Sequence, residues 1–99
     1  MSAQSWDLRS RETSIGTLFC IEIDQPWFRC EFAPGEGWEE VGDLFAAQVA
    51  ATDSGGKEAL MHAIGAVRNL ELELHPQEGN EIIKPIVIQI RGDKANFRY

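Results

Sequence analysis

Apolar and polar residues alternate along residues 15–32 with the period of two expected of strands that bury one face. Ile15, Thr17, Phe19, Ile21 and Ile23 fall on one side of such a strand. After a turn at Asp24-Gln25, Pro26, Phe28, Cys30 and Phe32 share a side of the return strand. Two apolar faces joined by a tight turn predict a β-hairpin committed to a core. The same alternation places Cys20 outward with Leu18 and Glu22, away from Cys30. Gly16, off the predicted core face, suggests a bulge or a close approach by another segment. Ala33-Pro34-Gly35-Glu36-Gly37 ends the hairpin, because proline removes a ladder donor and glycine frees the backbone.

The period then changes. Trp38, Val41, Leu44, Phe45 and Val49 recur at helical spacing, with Glu39, Glu40, Asp43 and Gln48 on the other side, which predicts an amphipathic helix. Its acids crowd the first turns, where the helix dipole favours negative charge by ~0.3–1 kcal/mol. Residues 52–56 read as a loop that caps a second helix over 57–67, with Leu60, Met61, Ile64 and Val67 inward and Gly65 as its weak point. From Leu70 the period returns to two, Leu70, Leu72 and Leu74 opposing Glu71, Glu73 and His75. Residues 82–99 predict a second hairpin about Gly92-Asp93, pairing Ile90 with Ala95, Ile88 with Phe97 and Ile86 with Tyr99. Trp6-Asp7-Leu8-Arg9 adds a short first strand.

The resulting order, β-β-β-α-α-β-β-β, predicts an α+β domain: one antiparallel sheet of about five to six strands with two helices packed on one face. The wet face would carry Glu22, Arg29, Glu31, Glu71, Glu73, Arg91 and Arg98. Trp6, Trp27 and Trp38 fall at element edges, where they would cover the helix ends. A chain of 99 residues has room for one core only. The longest apolar run, 44–51, is interrupted by Gln48 and too short to span a bilayer, and residues 1–7 have neither a basic start nor an apolar run, so no secretory leader is expected. With Cys20 and Cys30 on opposite faces, two reduced thiols in a cytoplasmic protein are expected.

Charge changes the picture further. The formal net charge is −7, and residues 31–58 hold seven acids against Lys57 alone. Such a surface disfavours a grip on nucleic-acid phosphate. It suits a basic protein partner.

The candidates for chemistry are sparse. Glu71, Glu73 and His75 would project from one strand face, but structural zinc wants cysteine or histidine at spacings that neither Cys20 with Cys30 nor His62 with His75 supplies. Paired carboxylates (Glu71 with Glu73, or Glu39 with Asp43) lack any sign of a pocket that would drive their pKa values apart. Cys20 with His75 lacks a strained nucleophile turn, and Ser54-Gly55-Gly56-Lys57 lacks the first glycine and the following hydroxyl of a phosphate loop. No catalytic, cofactor or metal site is expected. The sequence favours a non-catalytic module that engages a basic protein through Asp24, Trp27, Glu36, Glu39, Glu40 and Asp43, as immunity-type antagonists do by functional analogy. The alternative is a homodimer formed through the exposed sheet face or the C-terminal strand.

Overall fold

Proline or glycine marks most of the junctions between the chain's strands and helices. The computed structural model describes residues 4–99. Strands β1 (Ser5–Ser10), β2 (Thr13–Asp24) and β3 (Trp27–Pro34) precede helices α1 (Trp38–Ser54) and α2 (Lys57–Arg68), and β4 (Leu72–Pro76), β5 (Val87–Arg91) and β6 (Lys94–Arg98) follow. The six strands form one antiparallel sheet, ordered β4-β1-β2-β3-β6-β5 and curled into a half-barrel. This is the α+β architecture that the periodicity predicts.

The second hairpin keeps its expected register over Ile90↔Ala95 and Ile88↔Phe97, and Gly92 takes the positive φ of 62° that its turn requires. The register slips at the far end. There the Ile86 N–H donates to the Arg98 carbonyl, and Tyr99 lies beyond the strand.

The first hairpin departs from simple alternation. Two β-bulges interrupt β2, one opposite Leu8/Arg9 and one between Cys20 and Glu22. Ile15 is the extra residue of the first bulge and is fully buried. Beyond it the inward set is Gly16, Leu18 and Cys20, paired with Pro34, Phe32 and Cys30. Thr17 and Phe19 therefore face outward, against expectation, and Phe19 is 45% exposed. Ile21 is the extra residue of the second bulge, and Ile23, although paired with Phe28, lies exposed near the hairpin tip. Pro26 belongs to the turn, in a cis Gln25–Pro26 peptide, and not to the core face. An extra residue shifts the strand's parity by one, and a strand apolar on both faces carries no signal for that shift.

Gly16 fits the close approach anticipated for it: a Cβ there would lie 2.5 Å from the Ala33 carbonyl oxygen. The Pro-Gly corner then folds back on β2, with the N–H groups of Gly35 and Gly37 donating to the carbonyls of Ile15 and Ser14.

Helix α1 lies against the sheet's inner face. The Trp38 ring packs on Phe32 (4.8 Å between centroids) and on Phe45 (5.4 Å), and Phe45 is almost fully buried. Gln48, expected on the wet side, is buried, and its Nε2 donates to the Ile88 carbonyl on β5. Helix α2 rests mainly on α1 and sends only Ala63 and Val67 into the interior, so Met61 is exposed. Its N-terminal residue is capped by no side chain: Gly56 occupies that position, Ser54 belongs to α1, and Asp53 is held by Arg91. Trp6, anticipated at an edge, sits at the centre of the core, edge-on to Phe97 (5.2 Å) and Phe28 (6.0 Å).

Candidate functional site

The residues singled out for a partner surface divide into two groups. Asp24 and Trp27 flank the β2–β3 turn, whereas Glu36, Glu39, Glu40 and Asp43 lie around the start of α1. Strand β3 separates the groups, and its eight residues span roughly 25 Å at ~3.3 Å per residue. The two groups do not form one surface.

Their electrostatic settings also differ. Asp24 accepts from Arg29 at 3.1 Å, and Trp27 is half-buried beneath the Arg98 guanidinium, 5.9 Å from the ring centroid. Other acids on the sheet's outer side are similarly matched: Glu22 with Arg29, Glu31 with Lys94 and Asp7 with Arg9. Arg91 grips Asp53 through two hydrogen bonds of 2.9 and 3.0 Å, and this contact holds the Asp53 carboxyl below its ordinary range. By contrast, Glu36, Glu39, Glu40 and Asp43 are exposed, and none has a cation within ion-pair distance among the described residues. Gly37, at the helix N-cap, contributes no side-chain cap, so Glu39 and Glu40 are the acids that complement the helix dipole in the first turn.

The other sequence candidates come apart in three dimensions. Glu71 is in a turn with φ of 53° and pairs with Arg11 at 3.2 Å, so it leaves the strand face on which Glu73 and His75 meet at 3.1 Å. Lys84 approaches Glu73 at 4.0 Å on that outer side. Cys20 is on the inner face, whereas His75, opposite Asp7 and thus in line with Thr17, is on the outer one. The sheet itself separates that pair. Among the described residues no three His, Cys, Asp or Glu side chains converge as a metal site would require. No helix among them is long and apolar enough to cross a membrane.

Two features escaped the sequence reading. One is a cleft of about 340 Å³ where the half-barrel stays open between β4 and β5, walled by Ile64, Val67, Leu72, Ile86 and Ile88 with Gln48 at its back. The Gln48 Oε1 is buried there without a hydrogen-bond partner. The interruption of the apolar run 44–51 by Gln48 was the only trace of this in the chain. The other is the direct apposition of Cys20 and Cys30 as register partners on the inner face, both as free thiols.

No family model, curated protein or solved structure matches the chain.

Proposed function

We propose that the protein is a small non-catalytic binding module that meets a basic protein surface through Glu36, Glu39, Glu40 and Asp43. The observation that carries this reading is the contrast in charge pairing: the acids on the outer sheet face have cationic partners, and the acids at the start of α1 have none among the described residues. Carboxylates clustered around the start of α1 project a negative field that speeds encounter with a basic surface and excludes acidic competitors. Asp24 and Trp27 drop out of this surface, being remote from it and engaged with Arg29 and Arg98. The two free thiols suit a cytoplasmic setting.

Self-association has less support. Strand β6 lies between β3 and β5, which occupy both of its edges, and the outer sheet face carries ion pairs.

The test is capture of partners from the source cell with wild-type protein and with the combined Glu39→Gln, Glu40→Gln, Asp43→Asn variant. Association rates are then measured for whatever basic protein is retained. The expected result is a rate that falls with added salt and falls about tenfold or more in the variant. An association rate indifferent to both changes overturns the reading.

A further inference from the structure

We propose that Cys20 and Cys30 are a disulfide-forming pair: Cys20 meets a small-molecule disulfide first, and Cys30 resolves the adduct into a bridge between β2 and β3.

The backbone supplies the geometry. Cys20 and Cys30 are direct partners across two antiparallel strands. The Cys20 N–H donates to the Gln4 carbonyl at 2.8 Å, on the β1 side, so its backbone groups point away from β3. The two cysteines therefore form a non-hydrogen-bonded pair, in which Cα atoms stand about 4.5 Å apart and side chains approach most closely. That separation lies inside the ~4.4–6.8 Å range that disulfides span. Both side chains point to the inner face, because Leu18 and Phe32, one pair further along, are buried there.

Accessibility assigns the roles. Cys30 is buried, with 1% of its surface exposed, whereas Cys20 is only partly covered. The bulge at Ile21 leaves the Cys20 Sγ 3.9 Å from the Glu22 carbonyl, on the side of the exposed hairpin tip. An incoming disulfide thus reaches Cys20 and not Cys30.

The chemistry is a two-step exchange. The Cys20 thiolate attacks one sulfur of glutathione disulfide, forming a protein–glutathione bond and expelling one glutathione thiolate. The Cys30 thiolate then attacks the Cys20 sulfur and expels the second. Two protein thiols are oxidised to one disulfide, one glutathione disulfide is reduced to two glutathiones, and the two thiol protons pass to the departing thiolates. In a reducing compartment such a bond is transient, which is the regime of redox-sensing cysteines.

Resolution is the slow step. Burial, with Cys20 alongside, pushes the Cys30 thiol up to about 12, so its thiolate is scarce near neutrality. Cys20 is the titratable group that shares the inner face with the Cys30 thiol. Glu22, Arg29 and Lys94 belong to the outer side, where they line a shallow surface pocket with Cys30 and are paired among themselves and with Asp24 and Glu31.

The experiment treats the fully reduced protein with excess glutathione disulfide and follows intact mass, followed by peptide mapping under denaturing, thiol-blocked conditions. The expected product of the wild-type protein is a monomer lighter by two hydrogens, with Cys20 linked to Cys30. Its formation from the adduct should accelerate about tenfold per pH unit above neutrality. Cys30→Ser should stop at one glutathione on Cys20. Cys20→Ser, shown by circular dichroism to be folded, should stay unmodified. A wild-type adduct that persists, a disulfide-linked dimer as the main product, or thiols that survive unchanged would each overturn the proposal. The wild-type result decides the matter even if a variant fails to fold.

Discussion

Truncating Leu18 and Phe19 to alanine, one at a time, tests the half-barrel at the point where it departs most from simple alternation. Leu18 is fully buried between Phe32 and the core, and removing a buried leucine side chain beyond Cβ costs about 2–5 kcal/mol through lost transfer energy and the cavity left behind. Phe19 is larger but 45% exposed. Full burial of phenylalanine contributes about 1.5–3 kcal/mol, and a side chain with roughly half its surface covered realises about 1 kcal/mol, with no cavity because water fills the space. A domain of this size has a total stability on the order of 5–15 kcal/mol, and each kcal/mol moves its melting midpoint by about 4–8 °C. Leu18→Ala should therefore lower the midpoint by roughly 8–40 °C, and Phe19→Ala by roughly 4–8 °C. Urea titration of both variants beside the wild type checks the order. If Phe19→Ala proves as costly as Leu18→Ala, Phe19 faces the core, and the inward set of Gly16, Leu18 and Cys20 is wrong.

Two further outcomes follow from close packing and from burial. Gly16→Ala would place a Cβ 2.5 Å from the Ala33 carbonyl and 2.6 Å from the Phe32 ring, so a loss of about 1–3 kcal/mol is expected in urea titration, and an unchanged midpoint would show that β3 yields freely there. The Cys30 thiol is raised from 9.0 to about 12 in the folded protein. The unfolded chain thus ionises first as pH climbs, and the stability this group contributes is complete below about pH 9 and lost as pH rises toward about 12. Reduced wild type should accordingly lose more stability between about pH 8 and about pH 10.5 than Cys30→Ala does, and equal losses would show the thiol to be solvated.

Much of the fold was legible in the chain because its signals are local. The Pro-Gly corner, the helical stripe from Trp38 and the two-residue turn at Gly92 each act within a few residues, so the order of elements and the second hairpin's register near its turn could be read directly. The acidic start of α1 was legible for the same reason, since Glu36, Glu39, Glu40 and Asp43 stand close together in sequence. That Asp24 and Trp27 lie at the other end of β3 was legible as well, because the return strand between the turn at Asp24-Gln25 and the corner at 33–37 is extended, so one surface of all six residues conflicts with the predicted hairpin itself.

The sequence by itself determined the α+β order of elements and the acid-rich first helix, since period, turn chemistry and charge are properties of neighbouring residues. Only the tertiary structure decided which face of β2 is inside. Residues 15–23 are apolar on both faces, and the two bulges that choose between them are fixed by the partner strands β1 and β3. That choice brings Cys20 against Cys30. The same long-range assembly buries Gln48, because β5, forty residues further along the chain, offers the carbonyl of Ile88 to its amide. Which acids are paired was likewise settled by long-range assembly: Arg29, Lys94 and Arg91 reach Asp24, Glu31 and Asp53, and the first turns of α1 have no cation among the described residues.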